Sequence, residues 1–315
     1  MTEVVKRGYI GLTDPDWYDY LSNHPHLDEV NFWQPHGNRA FRAIEPGEMF
    51  FFKLRAPFKR IAGFGFFERY ESLPAWLAWE SFGEMNGAPD FESMVDRIIR
   101  LRGDNGSRSG DFQIGCIMVT APVFFPEDDW IKPPNNWAAT GIQQGKRYDL
   151  LSGEGYRIFH ECMERAEHSE RYWNVDHVAD DAPRYGEPLL VRPRLGQGIF
   201  SLEVRDAYRG ACAVTGEHSG PVLEASHIVP YGRGGKHTID NGLLLRSDLH
   251  RLFDRGYVTV TPEYKFRVGE RLRQEFNNGR SYYGLNDLTI FIPEREAWQP
   301  KREYLEWHLI ELFKG

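Results

Sequence analysis

The spacing of apolar residues divides the first half of the chain into predicted strands and helices. Short runs rich in aromatic and β-branched residues are typical of strands, and four of them occur at Gly8–Gly11, Met49–Leu54, Ile61–Phe67 and Ile114–Val119. Apolar residues three and four positions apart predict helices instead, at Leu73–Phe82, Phe91–Leu101 and Gly153–Ala166. Together these elements predict an α+β domain over residues 1–170.

The second half of the chain follows a different order of elements. Residues 171–193 show no clear period and contain three prolines, which predicts a linker. Beyond it the pattern predicts a helix at Gln197–Tyr208 and two short strands at Cys212–Val214 and Leu223–Ile228. A second helix is predicted to start near Ser247, followed by a closing hairpin of Tyr257–Val260 and Phe266–Val268. This order predicts a second, separate domain over residues 194–315.

The composition is that of a soluble globular protein, with 41% hydrophobic and 27% charged residues. No run approaches the roughly 20 apolar residues that a membrane-spanning helix needs, and the N-terminus lacks the apolar core of a signal peptide. The cysteines Cys116, Cys162 and Cys212 lie far apart and form no CxxC pair, which argues against a disulfide framework or a cysteine-based zinc site. We therefore expect a cytoplasmic protein with no membrane partner.

Charge is distributed unevenly along the chain. The net charge of −8 is unusual for a nucleic-acid-binding protein, yet residues 194–315 contain 17 basic and 16 acidic residues, so the acidity lies mainly in the first two thirds. Between His227 and Arg280 there are 10 basic and 6 acidic residues. Local positive charge of this kind is sufficient for contacts with phosphate groups, so the charge balance permits a nucleic-acid partner.

Two histidines and an asparagine in the second domain are the residues most typical of catalysis. Hydrolysis of a phosphodiester needs a base to deprotonate water and a cation to neutralise charge on the phosphate. His227, at the end of a predicted strand, is suited to the first function, and the helical His250 is suited to binding the cation. Between them lies Asn241, close to the apolar run Leu243–Leu245.

This arrangement resembles the HNH (ββα-metal) nuclease family, in the subgroup with the signature E-A-x-H-I-x-P, N-G-L-L-L and L-H-x-L-F-D-x-G. Three segments match that signature, at Glu224–Pro230, Asn241–Leu245 and Leu249–Gly256. The resemblance covers the region from residue 194 to residue 262. It implies that His227 is the general base, that Asn241 ties the loop that presents it, and that His250 is a metal ligand.

The same resemblance points to further metal ligands. Asp254 follows His250 by one helical turn and is expected on the same helix face. Many HNH proteins place a ligand at the position of Ser226, so both Ser226 and Glu224, which lies two residues earlier on the same strand face, are candidates for the first-strand ligand. Oxygen ligands with a single histidine favour Mg²⁺ or Mn²⁺ over zinc.

Three further side chains are candidates for contact with DNA. Arg251 and Arg255 follow the helical histidine and are suitably placed to hold the scissile strand. His237 lies in a glycine-rich loop, where contact with a phosphate and simple exposure to solvent are both open.

The N-terminal domain contains a second resemblance. The segment Asn31-Phe32-Trp33 precedes the strand-forming segments at 46–53 and 61–67, an order similar to that of EVE and related PUA-like domains, which are small β-barrels that bind RNA or DNA. Several of these domains accept a modified base flipped into a pocket, which requires ring faces and polar edges. Candidate ring faces are Trp33, Phe32, Trp17 and Trp79, and candidate edges are Asn31 and Asn86. The alternative is that these side chains belong to the core.

The two resemblances together predict a restriction-type DNA endonuclease. A PUA-like β-barrel with helices would recognise double-stranded DNA that carries methylated or hydroxymethylated cytosine, and a C-terminal HNH domain would cut it. One alternative is an HNH endonuclease specific for an unmodified sequence or a DNA structure, and another is a non-catalytic nucleic-acid-binding protein. One nuclease site per chain favours a homodimer for double-strand cleavage, whereas nicking does not require one.

Overall fold

The chain folds as two units, Met1–Arg194 and Leu195–Gly315. The computed structural model describes residues 6–24, 27–103, 108–138, 144–167, 196–277 and 279–315. The linker predicted at 171–193 lies outside these ranges. Within them, no helix has the length and apolar character that crossing a membrane requires.

The described part of the N-terminal unit contains a six-stranded mixed sheet. Its strands are β1 (Arg7–Thr13), β2 (Glu29–Gln34), β3 (Met49–Leu54), β4 (Ile61–Pro74), β5 (Gln113–Phe124) and β6 (Gly145–Asp149). They lie in the order β2-β5-β4-β3-β1-β6, and neighbours are antiparallel except for the parallel pair β1 and β3. The four strands predicted from the sequence are present, whereas β2 and β6 were not predicted.

Aromatic side chains fill the inside of this sheet because the sheet curls around them. Phe32 on β2 packs against Phe50 on β3, with 4.7 Å between the ring centroids, and both Phe50 and Phe52 are fully buried. At one end of the curl, the side-chain amide of Gln34 lies 3.5 Å from that of Gln144, which immediately precedes β6. The two edges of the sheet therefore approach each other at this end.

The strand ladder does not close into the barrel that the resemblance implied. β2 and β6 are the two ends of the strand order, and no backbone pairing joins them in the described part of the unit. The ring of Phe32 reaches across to β1, where a Cβ atom on Gly11 would lie 3.4 Å from Phe32 Cζ. The fold is α+β, with an open, curled sheet.

In the described ranges of this unit, four helices accompany the sheet: α1 (Pro15–Ser22), α2 (Ala75–Phe82), α3 (Phe91–Arg102) and α4 (Gly153–Glu167). The side chains of Asp14 and Asp90 cap the N-termini of α1 and α3 by accepting hydrogen bonds from backbone amides. β4 continues to Pro74, so α2 begins two residues later than predicted. α4 packs Ile158 and Cys162 against the strand residue Phe51, which gives the unit a second apolar layer.

The described part of the C-terminal unit contains two small antiparallel hairpins and five helices. The strands are β7 (Leu223–His227), β8 (Gly242–Arg246), β9 (Val258–Val260) and β10 (Phe266–Val268). The helices are α5 (Gln197–Ala207), α6 (Ser247–Asp254), α7 (Glu270–Phe276), α8 (Arg280–Tyr283) and α9 (Arg302–Glu311). β7 pairs with β8 and β9 pairs with β10, around a core that includes the fully buried rings of Phe200, Tyr208, Phe253 and Phe266.

The strand predicted at Cys212–Val214 is wrong. These residues lie in a turn, in which the backbone amide of Gly216 donates to the carbonyl of Cys212 at 2.9 Å. The backbone amide of Ala213 donates to the carbonyl of Leu244 on β8 at 2.7 Å, so the segment touches the hairpin without extending it. Buried apolar residues in a turn look like a short strand in the sequence because burial alone produces the apolar run.

Candidate active site

The hairpin of β7 and β8, followed by α6, forms the framework of the candidate site. The register runs from Leu223 opposite Arg246 to His227 opposite Gly242, so His227 lies at the loop end of the hairpin. α6 begins directly after β8 and buries one face through Leu249 and Phe253. Its remaining face carries the partly exposed side chains that face the hairpin.

Asn241 fixes the loop that joins the two strands. Its side chain is fully buried, and its Oδ1 accepts a hydrogen bond from the amide of Val229 at 2.9 Å. Its Nδ2 donates to the carbonyls of Val229 and Lys236, each at 3.0 Å. Asn241 therefore ties both ends of the loop to the start of β8, immediately behind His227.

Gly235 allows this loop to close. A Cβ atom at Gly235 would lie 1.8 Å from the carbonyl oxygen of Val229 and 3.0 Å from Asn241 Nδ2. Real Cβ atoms do not approach a carbonyl oxygen so closely, so any side chain would displace the loop from Asn241. The close approach of the Val229 carbonyl therefore explains why a glycine occupies position 235.

His227 lies between an aromatic ring and a second histidine. Phe200 on α5 stacks on its imidazole, with 3.9 Å between ring centroids and an interplanar angle of 12°. Its Nε2 atom lies 2.9 Å from Nδ1 of His237. Burial, with smaller contributions from His237 and His250, lowers the pKa of His227 to about 4, against the opposing effect of Asp254. The ring is therefore neutral at pH 7.

His250 on α6 is held between two carboxylates. Its Nδ1 lies 2.6 Å from Oε2 of Glu224, and its Nε2 lies 3.2 Å from Oδ2 of Asp254. Burial lowers the pKa of His250, but the hydrogen bonds and charges of Asp254 and Glu224 outweigh it, so that the net shift is upward. The side chains of His250, Glu224 and Asp254 are 21%, 44% and 55% exposed, so the cluster is open to a substrate.

The donor types of this cluster fit a hard divalent cation, because two carboxylates and one imidazole are the ligand types that Mg²⁺ and Mn²⁺ accept. Their arrangement is that of an ion pair, since each ring nitrogen of His250 already contacts a carboxylate. In agreement with this, no group of three or more His, Cys, Asp or Glu side chains in the described ranges is arranged to hold a metal ion. Binding of an ion would therefore replace one of these contacts.

Ser226, the other first-strand candidate, is fully buried. Its hydroxyl donates weakly to the carbonyl of His227, at 3.5 Å. Glu224, on the same strand, contacts the helical histidine directly. The position of Glu224 therefore suits a metal ligand better than that of Ser226.

Several basic side chains of this unit have no carboxylate partner among the described residues. Arg251 and Arg255, both predicted to contact DNA, are exposed, and so are Arg233 and Lys236 in the loop before Asn241. Arg233 and Lys236 were not predicted to contact DNA, although their place in the glycine-rich loop was a usable signal. Cations without a carboxylate partner are available for phosphate groups.

Residues 212–261 match the family model described as HNH endonuclease. The C-terminal unit therefore contains an HNH endonuclease domain.

No curated protein matches the chain. Among solved structures, a modification dependent TagI restriction endonuclease is similar at 13% identity, with 92% of this chain and 77% of that chain covered and a TM-score of 0.32. A mutant of the ZmASCH protein from Zymomonas mobilis is similar at 9% identity, with 49% and 96% covered and a TM-score of 0.30. Both similarities are too distant to transfer a function.

Two residues outside the matched segment support the HNH domain. Phe200 lies on α5 and stacks on His227. His308 lies on α9, where its ring stacks on Phe253 at 3.7 Å between centroids and its Nε2 lies 3.1 Å from the Phe253 carbonyl oxygen. His308 Nδ1 lies 2.8 Å from the hydroxyl of Thr259. Neither residue was predicted, because neither belongs to a local motif.

The candidate base-binding residues of the N-terminal unit form a buried hydrogen-bonded cluster. Asn31 Nδ2 donates to Asn86 Oδ1 at 2.9 Å, and Trp33 Nε1 donates to the Asn86 carbonyl at 2.9 Å. Asn86 Nδ2 donates in turn to the carbonyls of Ala78 and Gly83. Asn31 and Asn86 are fully buried, and Trp33 is 8% exposed, so these groups contact protein in this conformation.

The remaining three candidates also pack against protein. Trp17 is 2% exposed, and its Nε1 donates to the Asn31 carbonyl at 3.2 Å. Phe32 is 9% exposed and packs inside the sheet. Trp79 on α2 is partly buried next to Phe91. Their contact with a base stays a prediction.

Proposed function

We propose that this protein is a divalent-metal-dependent DNA endonuclease, in which the C-terminal unit cuts the phosphodiester and the N-terminal unit selects DNA with a modified cytosine. One observation carries the nuclease part of the proposal. The strand β7 carries His227 at its loop end and also carries Glu224, whose Oε2 lies 2.6 Å from Nδ1 of His250, within an HNH domain. A proton acceptor next to a carboxylate-rich imidazole cluster suits hydrolysis of a phosphodiester.

His227 acts as the general base in this proposal. A neutral imidazole has one lone pair that can accept a proton from water. Its pKa of about 4 in the free protein makes it a weak base, but a phosphate next to the ring raises this pKa because negative charge favours the protonated form. A bound phosphate would therefore strengthen the base, whereas a cation held at His250 would act in the opposite direction.

His250 would hold the metal ion, with Asp254 and Glu224 as the carboxylate ligands. When bound, such an ion supplies positive charge to the scissile phosphate and the leaving oxygen. Before that, the two carboxylates keep the imidazole oriented through both of its nitrogens. Arg251, Arg255, Arg233 and Lys236 would bind phosphates on either side of the cut.

Selection of modified DNA is assigned to the N-terminal unit. Its support is the resemblance to EVE and PUA-like domains and the presence of a second unit of its own, which the cleavage chemistry does not require. A nuclease with weak sequence preference would damage its host unless a second recognition event licensed cleavage. Double-strand cleavage would further require two HNH sites, as in a homodimer.

A cleavage assay tests the nuclease part. The full chain is incubated with supercoiled plasmid in Mg²⁺ or Mn²⁺ and in excess chelator, with the His227→Ala variant as the matched control. We expect nicked or linear DNA only with the wild-type chain and metal. Cleavage that persists in chelator would contradict metal dependence, and cleavage by the variant at the wild-type rate would contradict the role of His227 as the base.

A second assay tests the specificity part. Three duplexes of one sequence, which carry cytosine, 5-methylcytosine or 5-hydroxymethylcytosine, are compared for cleavage rate and for binding. We expect faster cleavage and tighter binding of a modified duplex. Equal rates on all three would support the alternative of an endonuclease for unmodified sequence or DNA structure. The buried rings of Trp17 and Trp33 favour that alternative, because a ring packed in the core offers no face to a flipped base.

A further inference from the structure

His237 contacts the proposed general base directly. It lies in the loop between β7 and β8, and its Nδ1 atom is 2.9 Å from Nε2 of His227. The two rings meet at 66°, with 4.9 Å between centroids, so the ring of His237 does not stack on that of His227. The contact is a hydrogen bond between ring nitrogens, and one ring must donate while the other accepts.

The surroundings hold this contact in place from several sides. Tyr231 stacks on His237, with 4.5 Å between centroids and an interplanar angle of 15°. The backbone next to His237 is tied by the hydrogen bond from Asn241 to the Lys236 carbonyl. On the far side, Phe200 stacks on His227. Neither imidazole is therefore free to turn away from the other.

The direction of this hydrogen bond decides whether His227 can act as a base. If Nε2 of His227 donates, the lone pair of the neutral ring is on Nδ1 and remains available to water. If Nε2 accepts, the proton of the neutral ring is on Nδ1, and the only lone pair is already used by His237. Only the first arrangement leaves a proton acceptor, and burial keeps the ring neutral.

We propose that His237 is a positioning residue that accepts the Nε2–H of His227, so that the Nδ1 lone pair of His227 is directed to the attacking water. This inference rests on the proposed function for the role of His227, but the hydrogen bond itself can be tested without cleavage. It differs from a contact between His237 and a DNA phosphate, which would act on binding.

Two matched substitutions separate these roles. His237→Asn places an amide oxygen near the position of Nδ1 and keeps an acceptor for His227, whereas His237→Gln places its amide near the position of Nε2. We expect His237→Ala and His237→Gln to lower kcat on the order of 10- to 100-fold, as other orienting partners do, with KM for DNA little changed. His237→Asn should retain most of kcat.

Nitrogen NMR of histidine-labelled full-length protein provides the readout that does not depend on cleavage. The His227 signals are assigned by their loss in His227→Gln. We expect Nε2 of His227 to carry the proton in the wild type and in His237→Asn, and a mixture of tautomers in His237→Ala. Thermal melting of each variant shows whether it folds.

Three results would overturn the proposal. They are a proton on Nδ1 of His227 in the wild type, a His237→Ala variant with unchanged kcat and KM, and a His237→Ala variant in which KM for DNA rises while kcat is unchanged. The last would make His237 a phosphate ligand. If the wild type shows the expected tautomer but does not cut DNA, the hydrogen bond is correct and the proposed function fails.

Discussion

Each unit contains a fully buried asparagine that organises its surroundings, and the two asparagines serve different purposes. Asn241 in the HNH domain bonds to both backbone groups of Val229 and to the carbonyl of Lys236. Asn86 in the N-terminal unit bonds to the side chain of Asn31 and to backbone carbonyls. Both satisfy their polar atoms inside the protein, as buried amides must.

The difference lies in what each asparagine supports. Next to the loop that Asn241 fixes, the side chains of His250, Glu224 and Asp254 are exposed by a fifth to a half of their surface. Around Asn86, the supported ring of Trp33 is itself buried. A buried amide network therefore marks a rigid region, and exposure of the groups it holds distinguishes a site from a core.

The largest effect that we expect is on catalysis at the exposed region. His227→Ala removes the proton acceptor, so the cleavage rate should fall on the order of 10²–10⁴-fold. Gel-based single-turnover cleavage measures the rate, and DNA binding and circular dichroism should remain close to wild type. His218→Ala, at an exposed histidine of the same unit, is the matched control and should cut normally. A His227→Ala chain that cuts at the wild-type rate would remove His227 from the mechanism.

The next effect concerns Asn241. Asn241→Ala leaves buried backbone groups of Val229 and Lys236 without partners, so the free energy of unfolding should fall by about 3–5 kcal/mol. Urea denaturation measures the loss, and Asn241→Asp should not recover it, because its buried carboxylate would face the carbonyls of Val229 and Lys236. Cleavage should fall in parallel because the loop no longer fixes His227.

The affinity for a metal ion distinguishes the role of Asn241 from that of His250. Titration of Mn²⁺ should give nearly wild-type affinity for Asn241→Ala at a temperature where it is folded, and clearly weaker affinity for His250→Ala. Equal loss of affinity in both variants would mean that Asn241 also shapes the metal site, and the assignment of separate roles would be wrong.

A third effect is on the pH dependence of stability. Burial lowers the pKa of His308 to about 4, whereas an unfolded histidine titrates near 6.5. As the pH falls below 6.5, the unfolded chain binds a proton that the folded chain does not, so stability is lost between pH 6.5 and pH 4, by ~3 kcal/mol for this residue. His308→Gln should show a flatter profile over this window in urea unfolding, and an unchanged slope would contradict the assigned burial of the neutral ring.

The smallest effect tests the buried region. Trp33→Phe removes the hydrogen bond from Nε1 to the Asn86 carbonyl and places a smaller ring in a buried position, so the free energy of unfolding should fall by about 1–2 kcal/mol. Cleavage of unmodified DNA should not change. If Trp33→Phe instead weakens binding of modified DNA selectively while the fold is unaffected, Trp33 contacts the base, and the contrast between the two regions no longer holds.

The sequence was sufficient to predict α5, β7, α6 and the hairpin of β9 and β10, whereas α7, α8 and α9 were not predicted. The spacing of His227, Asn241 and His250 is local to one hairpin and one helix, and Asp254 follows from helical geometry alone. Strands with aromatic runs, such as β3, and helices with clear periods, such as α3, were predicted for the same reason. β2 was not predicted, because three of its six buried residues, Glu29, Asn31 and Gln34, are polar and interrupt the apolar run that marks a buried strand.

What only the tertiary structure decided is which distant groups meet. Phe200 stacks on His227 and His308 stacks on Phe253 across long stretches of chain, and the parallel pairing of β1 with β3 joins strands that are not consecutive. The same packing buries Trp33, which looks like a candidate ring face in the sequence. Periodicity records the local environment of each segment, whereas contacts between segments depend on how the whole chain fills its core.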